Sequence, residues 1–244
     1  MNRNNCIVLK KVNKAFGAKQ VLFNIDLQVP YGRIYGLLGP SGCGKTTIVK
    51  LVAGILEATT GEAYVLKERM PRLDLMNKIG YMAQADALYN TLTAAENLYF
   101  FGSIYGMSKA QIKKRTAEIM ALVNLSDHID KPVQTYSGGM KRRLSLAIAI
   151  LHSPPVLVLD EPTVGIDPLL RKSIWKELNK LASQGVTIMV TTHVMDEASK
   201  CHMLAMLRDG RLIAQGTADE LQASAGAGSI EEAFIYYGGK QNEG

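Results

Sequence analysis

Gly39-Pro-Ser-Gly-Cys-Gly-Lys-Thr-Thr47 limits what this chain can fold into more than any other stretch. The apolar run Ile34 to Leu38 leads into it, and Ile48, Leu51, Val52 and Ile55 follow at helical spacing. The segment therefore lies between a strand and a helix. A Gly-x4-Gly-Lys-Thr loop in that context curls so that successive backbone N–H groups face one anion. The start of the helix adds a favourable field. Lys45 would supply charge to the terminal phosphates of a nucleotide, and the Thr46 hydroxyl is placed to ligate Mg2+. The candidate nucleotide-binding residues here are Gly39, Pro40, Ser41, Gly42, Cys43, Gly44, Lys45, Thr46 and Thr47. Cys43 reads as a small loop residue rather than a catalytic thiol.

A second element is Val156-Leu-Val-Leu-Asp160-Glu161. Four apolar residues make a buried strand that ends in two acids. Neighbouring residues of a strand point to opposite sides, so the two carboxylates can take separate roles. Asp160 would hold Mg2+, through water, and Glu161 would polarise an attacking water.

The rest of the chain supplies the frame. Ile25, Leu27 and Val29 alternate with Asn24, Asp26 and Gln28, as in a half-buried strand. Thr93-x-x-Glu96 and Ser108-x-x-Gln111 are capping boxes that predict helix starts. Another helix is expected from Ser137 through Leu151. Asp167-Pro168 reads as an N-cap followed by proline at the first helical position. Val186 to Thr191 is a β-branched strand, and Asp209-Gly210 a hairpin turn. Thr217-x-x-Glu220 and Ser229-x-x-Glu232 open two terminal helices. The expected fold is α/β: a P-loop core with a mainly parallel sheet, an N-terminal antiparallel β lobe and an inserted α-helical lobe. One domain over 1–244 is expected, with 1–87 and 152–216 as β lobe and core, 88–151 as helical lobe and 217–244 as C-terminal helices.

Tyr136-Ser137-Gly138-Gly139-Met140 stands 23 residues before Asp160. With it the chain resembles the ATP-binding cassette (ABC) family, whose signature is Leu-Ser-Gly-Gly-Gln. The resemblance runs from about Ile7 to Gly216. It implies that Phe16 stacks on adenine, that Gln84 is the Q-loop glutamine, that Thr163 to Asp167 is the D-loop, and that His193 is the switch histidine. Glu161, His193 and Gln84 are then the catalytic candidates, with Thr46, Gln84 and Asp160 around Mg2+ and ATP as the substrate nucleotide. Ser137, Gly138 and Gly139 form a second phosphate site, since Ser137 is a good N-cap and the glycines bare their N–H groups. In this family that site closes on the ATP of a partner cassette. Tyr136 and Met140 depart from the signature, while its serine and both glycines remain.

Subgroup marks are Gly165-Ile-Asp-Pro-Leu-Leu-Arg171, Thr192-His-Val-Met-Asp-Glu-Ala198 and Gly216-Thr-x-x-Glu220-Leu221. They resemble cassettes of bacterial exporters of drugs, lipids or polysaccharides. The resemblance implies a homodimer beneath a separate membrane permease, peripheral on the cytoplasmic face of the cell membrane. No run of about 18 apolar residues is present, so no crossing of the bilayer is expected. The N-terminal residues, Met1 to Lys11, lack the order of a signal peptide. Three scattered cysteines form no disulfide framework.

The formal charge is +6, concentrated between Gly106 and Ile150, where eight Lys/Arg meet three acids. Such a stretch suits solvation, an anionic membrane face or nucleic acid. The rival reading is a soluble ABC ATPase acting on ribosome or nucleic acid. Members of that kind carry two cassettes or long insertions, whereas only 53 residues separate Gln84 from Ser137; no nucleic acid is expected. Six of the sixteen aromatic residues fall between Tyr81 and Tyr105. Leu88, Tyr89 and Tyr99 are expected to line a groove for the permease.

Overall fold

The computed structural model describes residues 4–240; the sequence readings that extend to 1–3 and 241–244 lie outside the described residues. The N-terminal part is an antiparallel sheet, ordered β2-β1-β4-β5. Its strands are β1 (Asn5–Phe16), β2 (Lys19–Pro30), β4 (Thr60–Val65) and β5 (Glu68–Arg69). Ile25, Leu27 and Val29 are buried and their polar alternates exposed, so the period-two pattern sets the sheet's inner face.

The second sheet has the order β10-β9-β3-β8-β7-β6. It comprises β3 (Ile34–Leu38), β6 (Ile79–Met82), β7 (Val156–Asp160), β8 (Thr187–Thr192), β9 (Met203–Arg208) and β10 (Arg211–Gly216). All pairs are parallel except the hairpin β9–β10, which turns at Asp209-Gly210. Strands buried on both faces explain the unbroken apolar runs. Ile34, Leu157, Leu159, Ile188 and Val190 enter one apolar cluster, with the helices. Tyr35, Leu37, Val156, Val158 and Met189 enter the other, against the antiparallel sheet.

Helix α1 (Lys45–Val52) follows β3. Between β6 and β7 come α2 (Ala94–Ile104), α3 (Lys109–Leu122) and α4 (Gly138–Ile150). Thr93 and Ser108 cap α2 and α3 with complete capping boxes, and Ser137 caps α4 through Met140 N–H. Helix α5 (Pro168–Ser183) starts at the Asp167 cap with proline at its first turn. Helix α6 (Met195–Ala198) follows β8, and α7 (Ala218–Ala225) and α8 (Ile230–Lys240) close the chain.

Sheet register places the site. Leu38 pairs with Thr192, Asp160 with Thr191, and Met82 with Leu159. The carboxyl ends of β3, β6, β7 and β8 therefore lie level. The segments leaving them are Gly39–Thr47, Ala83-Gln84, Glu161 and His193. A crevice beyond the carboxyl ends of parallel strands is where open α/β sheets bind ligands.

Candidate functional site

Two glycines of the phosphate loop have left-handed backbones, Gly42 at φ 79° and Gly44 at φ 109°. A Cβ at Gly39 would collide with the Leu207 carbonyl, so that position admits no side chain. Lys45 is buried, and its Nζ donates to the carbonyls of Gly39 at 2.7 Å and Pro40 at 2.9 Å. These bonds hold the ammonium across the loop. A cavity of about 150 Å3 is lined by Val21, Ser41, Gly42, Gly44, Lys45, Thr46, Thr47, Gln84 and Glu161. Burial raises the Cys43 thiol above its ordinary value, which keeps it protonated and unreactive.

The two acids at the end of β7 do point apart. Asp160 is buried, and its Oδ1 accepts from Thr191 Oγ1 at 2.5 Å. Its Oδ2 is buried without a hydrogen-bond partner among the described residues. An anionic oxygen left in that condition fits the hydration shell of a divalent cation. Among the described residues, no cluster of three or more His, Cys, Asp or Glu gathers. The single Asp160 carboxylate suits Mg2+, which is typically held by one or two protein groups, waters and substrate phosphates. Glu161 has a left-handed backbone, φ 52°, uncommon for a residue with a side chain. Its N–H donates to Thr191 Oγ1 at 2.9 Å, and its Oε1 lies 3.0 Å from His193 Nδ1.

Phe16 and the signature residues stand apart from this cavity's lining. Phe16 is exposed, with Lys14 Nζ 5.1 Å from its ring centroid. Ser137 and Gly138 are exposed at the start of α4. A Cβ on Gly138 would meet nothing within 4 Å, whereas one on Gly139 would come 2.9 Å from the Gly165 carbonyl.

Two charged residues escaped the sequence reading. Arg142 was counted in a basic surface stretch, yet it is buried. It shares a helical stripe with Leu146 and Ala149, and a charge on an apolar stripe was the signal available. Burial pushes its guanidinium below the ordinary value, opposed by Asp86, Asp160 and Glu161. Arg143 is half-buried and donates to the carbonyls of Val123, Asn124 and Gly139. Glu197 is the second. It accepts from Thr163 and Thr192 hydroxyls and pairs with Arg171 at 3.6 Å.

The aromatic cluster divides. A cavity of about 330 Å3 between Ala83–Leu88, α2 and α4 is lined by Leu88, Tyr81, Phe101, Ile104 and Tyr105. Tyr89 and Tyr99 do not line this cavity. Tyr89 instead packs edge-on to Phe100, centroids 4.7 Å apart. Tyr99 and Phe100 border a separate groove between α2 and α3. The helix places Phe101 and Tyr105, four residues apart, on one face, while Tyr99 falls on another.

Comparison with known proteins defines the class. The ABC transporter family profile matches residues 22–164. The chain is 40% identical over 241 residues to the probable multidrug ABC transporter ATP-binding protein YbhF of Escherichia coli K12, covering 94% of this chain and 41% of that protein. It is 37% identical to the linearmycin resistance ATP-binding protein LnrL of Bacillus subtilis, covering 91% and 72%. It is 39% identical to the Nod factor export ATP-binding protein I of Paraburkholderia xenovorans, covering 93% and 76%. A solved ATP-binding subunit of an ABC transporter superposes with a TM-score of 0.86 at 26% identity, over 95% of this chain and 99% of that one. The dimeric post-hydrolysis cassette MJ0796, bound to ADP and Pi, gives 0.81 at 28% identity, over 86% and 98%.

The fold and the site define a P-loop ATP-binding cassette. This chain belongs to the ABC transporter family and is an ATP-binding cassette of the ABC ATPase type. No helix among the described residues is long and apolar enough to cross a membrane.

Proposed function

We propose that this chain is the Mg2+-dependent ATPase subunit of an exporter, dimerising around two ATP to drive a separate membrane permease from the cytoplasmic face. The observation that carries the reading is the convergence of Gly39–Thr47, Gln84, Asp160, Glu161 and His193 at four level strand ends. Mg2+, when bound, neutralises phosphate charge and orients the terminal phosphoryl group. Thr46 and Asp160 would hold it, with Gln84 beside it. Lys45 and the loop N–H groups, from Gly39 to Thr47, bind the phosphates. Glu161 takes the proton of the attacking water. His193, 3.0 Å from Glu161, orients that carboxylate and meets the γ-phosphate. Phe16 supports adenine.

Ser137 and Gly138 are exposed, with Gly139 half-buried behind them, which suits a site that serves a partner's ATP. Relatives named for multidrug transport, linearmycin resistance and Nod factor export support the export direction. The cavity between Ala83–Leu88 and residues 88–151, taken as the helical lobe, is apolar enough to seat a permease segment. Burial of Arg142 and the carbonyl bonds of Arg143 withdraw two cations from the surface that a nucleic-acid partner would need.

Glu161→Gln tests the reading. It keeps size and hydrogen bonding but removes the base, so turnover falls roughly 10²–10⁴-fold while ATP binding persists. The variant should elute as a dimer with ATP and as a monomer without it. Near-wild-type turnover, or a monomer at saturating ATP, overturns the assignment.

A further inference from the structure

Arg142 uses all five of its N–H donors on backbone carbonyls from two separate loops. Nη1 donates to Ala83 at 2.7 Å and Gln84 at 2.8 Å. Nη2 donates to Asp160 and, at 2.8 Å, to Glu161; Nε donates to Glu161 at 3.2 Å. Arg142 stands in the second turn of α4, five residues after the Ser137 cap. One turn further on, Ser145 Oγ donates to Asp86 at 2.8 Å, and Asp86 lies 3.7 Å from Arg142 Nη1. A single rigid fork thus joins the signature helix to the Gln84 loop and to the end of β7.

What it holds is a backbone that would not hold itself. Glu161 sits at φ 52°, a conformation that persists in a side-chain-bearing residue only when its surroundings over-determine it. Arg142 fixes the Glu161 carbonyl, and Thr191 fixes its N–H. Gln84 is an exposed loop residue beyond the end of β6, and Arg142 fixes its carbonyl. We infer that Arg142 is a positioning residue, setting Glu161 and Gln84 at a fixed separation and carrying displacements of the signature helix into both. The inference rests on the reading of this site as hydrolytic. Arg142 itself touches neither phosphate nor water in this role.

The test compares Arg142→Lys with wild type. Lysine keeps the charge but has three donors on one atom, so it cannot span both loops. Misplacing catalytic groups by about 1 Å costs about 10²-fold. Turnover should therefore fall on the order of 10- to 100-fold, while affinity for a non-hydrolysable ATP analogue stays within about threefold. Deuterium uptake should rise in peptides covering 83–86 and 160–162, with α1 and the phosphate loop unchanged. Ser145→Ala, which leaves the guanidinium in place, should raise uptake at 83–86 alone. Unchanged uptake at 160–162 in the lysine variant, or affinity falling in step with turnover, overturns the inference. So does a Ser145→Ala variant as impaired as the lysine one, and this arm still decides if the lysine variant fails to fold. If wild type binds ATP without hydrolysing it, the hydrolytic reading falls by itself, and the exchange contrast still decides whether Arg142 positions the two loops.

Discussion

Glu197 is a carboxylate almost sealed from solvent, and its partners come from three segments. Thr163 belongs to the loop after Glu161, Thr192 to the end of β8, and Arg171 to α5. Arg171 also donates to the Ile166 carbonyl at 3.2 Å, so the loop from Thr163 to Asp167 is tied at both ends. Arg171 keeps 31% of its side chain exposed, so what removal of the carboxylate strands is mainly the two hydroxyls, at a cost of about 1–3 kcal/mol. Glu197→Ala should therefore lower the urea unfolding free energy by about 2–3 kcal/mol, and Thr192→Val by about 1 kcal/mol. Equal losses for the two would show that the carboxylate carries no special weight. Single charged residues of this kind were illegible in the sequence. Lys45, Asp160 and Glu161 could be read because short motifs fix their spacing, and Gln84 and His193 because the family's motif order reached them. Arg142 bonds to carbonyls 18 to 59 residues away, and Glu197 to Thr163, 34 residues away, as well as to the nearby Thr192; nothing adjacent in the chain announces the distant partners.

At the scale of elements, helix starts were legible and helix meetings were not. Thr93, Ser108, Ser137, Asp167 and Thr217 all cap where the sequence placed them, because a cap is a local exchange of hydrogen bonds. Which aromatic residues face which helix depends on packing, and nothing in the sequence divides Leu88 and Tyr99 between two separate grooves. The contact between the ends of α2 and α4 is one such meeting. Tyr105 stacks on His152, ring centroids 3.7 Å apart and planes 13° from parallel. Both imidazole nitrogens are buried, and burial pushes His152 down to about 4 against the opposing pull of the Ile79 backbone. Its unfolded value is the ordinary 6.5, so between pH 6.5 and 4 the unfolded chain binds the extra proton. Stability tied to this residue is thus full above 6.5 and falls as the pH drops towards 4, by up to about 3 kcal/mol. His152→Phe keeps a ring against Tyr105 and removes the titration. Denaturant midpoints from pH 7 to 4 should decline less steeply in that variant than in wild type. Parallel declines would place the acid sensitivity elsewhere.

At the scale of the whole molecule, the two loops proposed to face phosphate are separated within one chain. Gly39–Thr47 lines the cavity with Gln84 and Glu161, while Ser137 and Gly138 begin α4 outside its lining. A cassette that completes its site with a second copy gives opposite results when the two loops are altered. Lys45→Ala deletes the buried ammonium proposed to face the phosphates and should abolish ATP binding by the monomer. Gly138→Asp adds a carboxylate where a Cβ meets nothing within 4 Å, so the fold accepts it and monomer affinity stays close to wild type. In the closed pair that carboxylate would face the terminal phosphate of the partner's ATP across a space that excludes water. Like charges there repel strongly, because little solvent screens them. Placed in a Glu161→Gln background, Gly138→Asp should therefore bind ATP and still elute as a monomer, where Glu161→Gln alone elutes as a dimer. Calorimetry of ATP binding and sizing of the same samples separate the two effects. If Gly138→Asp weakens monomer affinity as much as Lys45→Ala does, the signature loop serves the ATP of its own chain, and the shared-site geometry is wrong.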